Sequence, residues 1–176
     1  MTDNPPPGSD RDLLDALESR GDGTAFAEQI FSLVRQAQFF AEFNRGDITE
    51  LAGYMRVYRA QPGRAIIREG DIGDYMLLLI SGEVDVCKKN LVGEKQHLAS
   101  VTPGMTLGEM SMIDGAPRFA SCVALKETTF GVLSRANMGK IILENPALGA
   151  KILIRLVTML SQRLRHTSSM LLQYLR

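Results

Sequence analysis

The stretch that decides the fold is LGEMSMIDGAPRFASCVA, residues 107–124. A Gly-Glu pair, Gly108 and Glu109, stands near its start, and Arg118 follows Glu109 by nine positions. The residues between can form one short helical turn and a glycine-containing loop, which places a carboxylate and a guanidinium at the two ends of a compact hook. A carboxylate accepts hydrogen bonds from sugar hydroxyls, and a guanidinium forks onto phosphate oxygens. Backbone N–H groups at a helix start attract the same anion. A ribose hydroxyl and a cyclic phosphate lie this close together in cyclic nucleotides.

Short strands are predicted on both sides of this stretch, because apolar residues alternate with a period of two between turn signals such as Gln61-Pro62-Gly63 and Pro103-Gly104. The predicted strands lie near 56–60, 65–69, 75–80, 83–89, 95–101, 119–124 and 129–133. Many short strands with Gly and Pro turns indicate a sandwich or a barrel, and a jelly roll is one way to close such a sheet.

Helices are predicted before the strands. One covers Asp10 to Arg20, with its leucines on one face, and a second starts at Thr24, after a break at 21–23. The pattern Asp47-Ile48-Thr49-Glu50 is typical of a capping box and predicts a short helix that begins there.

A long helix is predicted at the other end of the chain. Ser134 caps a helix over 135–144, and Asn145-Pro146 begins a helix that continues to Arg176. About 30 helical residues extend about 45 Å, more than one small domain covers. The heptad positions are Ala150, Val157, Leu164 and Leu171 at a, with Leu153, Leu160, Thr167 and Tyr174 at d. We favour a parallel homodimer seam over a helix that packs only on the strands of its own chain.

Residues 107–124 resemble the phosphate-binding cassette of the cyclic-nucleotide-binding domain superfamily, of the catabolite activator protein and cyclic-AMP-dependent kinase regulatory subunit type. The resemblance includes VYRAQPGRAIIREGDIGDYMLLLISGEVDV, residues 57–86, and reaches the two helices after Ser134. It implies an α+β, mainly β fold: a double-stranded β-helix, or jelly roll, with N-terminal helices and a long C-terminal helix. The expected segments are a disordered lead 1–10, a helical segment 11–38, the β-roll 39–145 and the long helix 146–176.

The resemblance also assigns roles within the cassette. It implies that Glu109 holds the ribose 2′-hydroxyl and Arg118 the cyclic phosphate, that the backbone N–H groups of Ser111 and Phe119 complete the phosphate cradle, and that Gly108 leaves room for a close backbone approach. The alternatives are a Glu109 that interacts only with a helix dipole and an Arg118 that forms a surface salt bridge.

Two further positions depend on the resemblance. The family often has Ala, Ser or Thr where this chain has Phe119, whose ring either stacks on the purine or fills part of the pocket. Thr167 and Ser168 match a Thr-Ser pair that contacts adenine at the dimer seam of relatives; the alternative is two ordinary polar helix positions. Ser121 carries a hydroxyl near Phe119, with no assigned contact.

The predicted function is a cyclic-nucleotide-binding sensor or regulatory module. Cyclic AMP is the first ligand expected and cyclic GMP the next, with a signal that passes through the C-terminal helix to a separate effector protein. The alternative is a non-binding dimeric scaffold whose pocket is blocked by Phe119. No DNA binding is expected, because the sequence ends at Arg176, where related transcription factors continue into a helix-turn-helix.

Composition gives expectations about nucleic-acid binding, enzyme activity and location. Lys plus Arg equals Asp plus Glu, so overall charge gives no signal for nucleic acid, although residues 1–50 carry a net −6 and 126–176 a net +6. His97 and His166 stand apart, so no metal site, catalytic cofactor or enzyme activity is expected, including that of a cupin-like metalloenzyme. With two cysteines, no secretory signal and no membrane-spanning run, the chain is expected to be cytoplasmic.

Overall fold

The computed structural model describes residues 10–33 and 37–174, in which two antiparallel sheets form a β-roll flanked by helices. The strands are β1 Glu18–Asp22, β2 Arg56–Ala60, β3 Ala65–Ile67, β4 Tyr75–Ser81, β5 Val84–Lys89, β6 Lys95–Val101, β7 Thr106–Leu107, β8 Ser121–Ala124 and β9 Thr128–Ser134. The helices are α1 Asp10–Asp15, α2 Ala27–Leu33, α3 Arg45–Gly53, α4 Glu109–Asp114, α5 Arg135–Glu144 and α6 Pro146–Tyr174. The β-roll and the long C-terminal helix confirm the predicted fold. The disordered lead predicted for 1–10 lies, apart from Asp10, outside the described residues.

The central strand of the roll is β4. One sheet has the order β1-β2-β9-β4-β7 and the other β3-β8-β5-β6. Six consecutive residues of β4, from Tyr75 to Ile80, are buried. Successive side chains of a strand point to opposite faces. Tyr75, Leu77 and Leu79 therefore belong to the core between the sheets, and Met76, Leu78 and Ile80 to the core beneath the helices. A strand covered on both faces accounts for the unbroken apolar sequence YMLLLI.

The first turns of α6 pack on the core beneath the helices, which also contains Met76, Leu78 and Ile80. Leu148, Ile152 and Leu156 are at most 1% exposed and recur every four residues, which puts them on one helix face. Lys151 Nζ donates to Asp47 Oδ2 at 2.6 Å, so α6 is also fastened to α3. These contacts fix the start of α6 to the rest of the molecule.

Beyond Leu156 no residue of α6 that the structure describes is buried. Four large apolar residues of the predicted heptad face are exposed, and Leu160 is half-buried: Leu153 is 40% exposed, Val157 65%, Leu164 69% and Leu171 58%. No helix in the described part of the chain combines the length and the apolar run that crossing a bilayer requires.

Two of the predicted elements need correction. The helix predicted from Asp10 to Arg20 ends at Asp15, and Glu18–Asp22 instead form β1, an edge strand antiparallel to β2. Pairing with an available sheet edge overrides the helical preference of this stretch. The capping box lies earlier than predicted, because the Asn44 side chain accepts from the N–H of Asp47, while the Asp47 carboxylate accepts from the N–H of Asn44. The strand β7 was not predicted, since two residues are too few to show a period.

Candidate functional site

The site is built around the six-residue helix α4, which has a glycine at each end. Gly108 and Gly115 both have φ of +75°, a left-handed conformation that favours glycine. At Gly108 space is a second constraint, because an added Cβ would lie 2.6 Å from Arg118 Nη1. The group that lies close to the Gly108 backbone is therefore the Arg118 guanidinium.

Arg118 is 3% exposed and lies beneath the start of α4. Its Nη1 donates to the carbonyl oxygen of Gly108 at 2.8 Å, and its guanidinium lies 4.5 Å from the ring centroid of Tyr75. Its backbone N–H donates to Asp71 O and its carbonyl accepts from Gly70 N, both at 2.8 Å. The side chain is therefore a buried, fixed cation rather than half of a surface salt bridge, which excludes that alternative.

Glu109, the first residue of α4, is 1% exposed. Its Oε1 accepts from Arg163 Nη1 of α6, whereas Oε2 is buried without a hydrogen-bond partner among the described residues. Burial raises the pKa of Glu109 above its ordinary value of 4.5, and the charges of Arg163 and Arg118 oppose that increase. The site therefore presents a buried acceptor oxygen close to a buried guanidinium, which suits a ligand with a hydroxyl and an anionic group.

Ser111 lies in the middle of α4 and is 3% exposed. Its carbonyl oxygen accepts from the N–H of Gly115 at 3.0 Å and from Arg135 Nη2 at 2.7 Å. Arg135 Nε also donates to Met112 O. The far end of α4 is thus bonded to the first residue of α5.

Phe119 is 56% exposed, and its ring lies against the Lys88 ammonium, which is 4.2 Å from the ring centroid. Lys88 Nζ also donates to the Phe119 carbonyl at 2.6 Å and to Glu69 Oε1 at 2.8 Å. The Ser121 hydroxyl accepts from the N–H of Glu69 at 2.9 Å. The ring belongs to neither hydrophobic core of the described residues, and the nearby hydroxyl serves the local backbone.

Thr167 and Ser168 are exposed, and no described contact joins them to α4. The Thr167 hydroxyl donates to Arg163 O at 2.9 Å, one turn earlier in α6. The α6 residue that reaches α4 is Arg163, which also donates from Nη2 to Thr106 O at 3.2 Å. Sequence reasoning missed Arg163; the available signal was its position four residues before Thr167, on the same helix face.

Comparison with known proteins gives a consistent result. A family model described as cyclic nucleotide-binding domain matches residues 57–145. Over 103 residues the chain is 34% identical to the cyclic AMP receptor protein of Thermus thermophilus, covering 58% of this chain and 46% of that protein. The chain spans less than half the length of the curated relatives it matches.

Two solved structures are similar over a larger share of the chain. A cyclic nucleotide-binding domain from Methylobacillus flagellatus has a TM-score of 0.79 and 40% identity, covering 89% of this chain and 88% of that chain. The regulatory domain of Toxoplasma gondii cyclic-AMP-dependent kinase, crystallised with cyclic AMP, has a TM-score of 0.59 and 26% identity. The match covers 66% of this chain and 44% of that chain.

Proposed function

This chain belongs to the cyclic nucleotide-binding domain family, and from that premise we propose that it is a cyclic-nucleotide sensor that acts by binding rather than by catalysis. The observation that carries the proposal is that Glu109 and Arg118 lie close together at one end of α4, 1% and 3% exposed. A buried carboxylate and guanidinium are costly to desolvate. A ligand whose hydroxyl and phosphate engage both charges would offset part of that cost.

Each residue has a role that its chemistry supports. The Arg118 guanidinium would hold the cyclic phosphate, together with backbone N–H groups of Ser111 and Phe119. Glu109 would accept from the ribose 2′-hydroxyl. Gly108 keeps Cβ atoms away from the cradle. Thr167 and Ser168 would reach the purine only if α6 moves, since both are exposed in this structure.

The contact between Arg163 and Glu109 suggests how ligand binding would reach α6. A ribose hydroxyl and Arg163 would share one carboxylate, so the ligand changes the contact that holds the middle of α6 to α4. A ligand shifts an equilibrium only through its different affinity for the two states. The proposed output is a new position of α6, recognised by a separate effector protein in the cytoplasm.

The test is calorimetric titration of the nucleotide-stripped protein with cyclic AMP, cyclic GMP and 5′-AMP. We expect a cyclic nucleotide to bind, with cyclic AMP preferred, and 5′-AMP not to bind. Arg118→Gln should weaken binding at least about 100-fold, because a charge-assisted phosphate contact is lost. The matched control is Arg56→Gln on the exposed part of β2, which should bind normally. Equal affinity of the Arg118 variant and the control would reject the cassette assignment.

A second candidate function is a dimeric scaffold whose pocket is blocked by Phe119. The exposed position of this ring against Lys88 favours the sensor over the scaffold. Phe119→Ala distinguishes them in the same titration. The sensor predicts affinity within about tenfold of the natural chain, since at most one ring stacking contact is lost. Binding by the alanine variant alone would establish the scaffold.

We also propose that α6 forms a parallel homodimer seam. Its exposed residues Leu153, Val157, Leu164 and Leu171 fall at a or d positions of the heptad, and a second copy of the same helix would present the same stripe. After Leu156 no described residue of α6 is buried, so the exposed apolar side chains on these turns are available for a second helix.

A further inference from the structure

A cavity of about 370 Å³ lies between α6 and the loop that joins β6 to β7. It is lined by loop residues 102–105, by Ala37 and Phe39, and by one face of α6. None of the described lining residues belongs to the range 108–119, so the cavity is separate from the site around α4. Its volume falls in the range of sites that hold small organic molecules.

The loop side of the cavity is held by the central strand of the roll. The N–H of Gly104 donates to Leu79 O at 2.8 Å, and the N–H of Leu79 donates to Met105 O at 3.0 Å. An added Cβ at Gly104 would lie 2.5 Å from Ala37 Cβ, so the loop also approaches Ala37 closely. Two lining segments are therefore fixed by backbone contacts, as is usual in a largely pre-formed ligand site.

The helix side of the cavity carries Arg155, Met159 and Arg163. These residues recur every four positions, which places them on one face of α6. In the heptad of α6 they occupy positions f, c and g, and none of them is at a or d. A second copy packed on the proposed seam would therefore leave the cavity accessible.

The charge of the cavity favours an anion. The side chain of Arg155 is 14% exposed, and its Nη1 lies 3.6 Å from Oε1 of Glu42, whose side chain is 67% exposed. Solvent screens such an ion pair, so an anion inside the cavity would add neutralising charge that the pair supplies only weakly. Arg163 adds a second positive charge on the same face, and none of the described lining residues is acidic.

The apolar part of the lining favours a flat ring. It includes Phe39, which is 7% exposed, and the thioethers of Met105 and Met159. Thioether sulfur atoms make favourable contacts with aromatic rings, and guanidinium groups stack on ring faces. An aromatic body with one carboxylate therefore matches both the apolar and the cationic groups of this cavity.

We propose that this cavity is a second ligand site, which binds a small aromatic carboxylate. The carboxylate accepts from the guanidinium of Arg155 in the field of Arg163, and the ring packs against Phe39, Met105 and Met159. The inference does not depend on the sensor function, because its ligand and its lining differ from those assigned to the cyclic nucleotide.

The test is calorimetric titration of the nucleotide-stripped full chain with 2-naphthoate, a bicyclic aromatic carboxylate. We expect saturable binding at one site per chain, with a dissociation constant on the order of 100 μM for a ligand of this size. The uncharged analogue 2-naphthalenemethanol should bind at least about tenfold more weakly, because the charge-assisted contact is lost. Arg155→Gln should weaken 2-naphthoate binding to a similar extent, whereas Arg165→Gln, at an exposed position of α6, should bind like the natural chain.

A second variant fills the cavity and keeps both arginines. Thr158 lines the cavity, and its hydroxyl donates to Ile154 O, one turn earlier in α6, at 2.8 Å. Thr158→Phe should weaken 2-naphthoate binding at least about tenfold, because the added ring takes space that the ligand needs. The matched control is Ser169→Phe, since the Ser169 hydroxyl makes the same type of bond to Arg165 O at an exposed position.

The outcomes that contradict the inference are distinct from those that contradict the sensor function. A natural chain that does not bind 2-naphthoate, or equal binding by Thr158→Phe and Ser169→Phe, would overturn the inference. Arg118→Gln should retain 2-naphthoate binding, and its loss in that variant would place the compound beside α4 and also overturn the inference. If Arg155→Gln does not fold, the uncharged analogue and Thr158→Phe still decide the result. None of these titrations contains a cyclic nucleotide, so the sensor function is tested separately.

Discussion

Glu109 is the residue in which the chemistry of the site is concentrated. It combines near-complete burial, an ion pair with Arg163 and a second oxygen without a partner in the described chain. Burial favours the neutral acid, whereas Arg163 and Arg118 favour the carboxylate. A ligand hydroxyl that donates to the second oxygen should therefore favour the carboxylate form of Glu109.

The affinity for cyclic nucleotide should fall in mildly acidic solution. The pKa of Glu109 is raised, so its carboxylate is lost at a higher pH than that of an ordinary glutamate with a pKa of 4.5. The ribose hydroxyl would donate its hydrogen bond to the carboxylate form of Glu109. The dissociation constant should therefore rise by up to about tenfold per pH unit below the raised pKa. Titrations between about pH 5 and 8 measure this.

Two variants identify the source of that pH dependence. Glu109→Gln should bind more weakly at neutral pH and lose the acid-side decrease, while Glu94→Gln, at an exposed hairpin tip, should retain it. A Glu109→Gln protein with an unchanged pH profile would assign the titration to another group. In the ligand-free protein the raised pKa of Glu109 also makes the free energy of unfolding depend on pH. The stabilising contribution of Glu109 is present below pH 4.5 and is lost as pH rises through the folded-state pKa.

At the scale of single elements, α6 has two different functions along its length. Its first turns bury Leu148, Ile152 and Leu156, and each such side chain contributes about 1.5–3 kcal/mol by leaving water. The later turns expose Leu164, Leu171 and Leu172 at 58–69%. The second half therefore presents an apolar surface on which the proposed second copy of the helix would pack.

A double substitution tests that partner. Leu164→Glu with Leu171→Glu places like charges at two seam positions, so we expect the dissociation constant of the dimer to rise by at least about tenfold. Sedimentation velocity at tens of micromolar protein measures this change. Ser169→Glu, on the outer face of the same heptad, should sediment like the natural chain. A natural chain that sediments as a monomer at this concentration would reject the seam.

The elements also show which features could be predicted from sequence. Gly108, Glu109 and Arg118 lie within one short stretch, so local spacing was sufficient to pair them. Arg163 is 54 positions from Glu109, and Arg135 is 24 from Ser111. Those pairings depend on where α5 and α6 dock, which no local pattern encodes. The strand β1 was missed for a related reason, because its structure is decided by the adjacent edge of β2.

At the scale of the whole molecule, the N-terminal third and the C-terminal helix are joined by charge. The acidic excess of residues 1–50 supplies Asp47 to Lys151 and Glu42 to Arg155, at 2.6 and 3.6 Å. Together with the shared core, these contacts connect α3, α5 and α6 around one face of the roll. Ligand binding at α4 should therefore stabilise the folded molecule as a whole rather than one loop.

Thermal unfolding measures that stabilisation. A ligand at 100 times its dissociation constant adds about 2.7 kcal/mol. For a chain of this size we therefore expect cyclic AMP to raise the unfolding midpoint by about 5–10 °C. The same concentration of 5′-AMP should have no effect, and Arg118→Gln should lose most of the increase. Equal shifts with both nucleotides would indicate nonspecific binding rather than recognition of the cyclic phosphate.

The length of α6 beyond its last buried residue has a mechanical consequence. From Leu156 to Tyr174 the helix extends about 27 Å at 1.5 Å per residue. If this part moves as a rigid rod, a rotation of about 6° at Leu156 displaces its far end by about 3 Å. The rod would then act as a lever that pivots at the core and whose largest displacement is near Tyr174. Small rearrangements at a buried carboxylate would thereby become displacements large enough for another protein to detect.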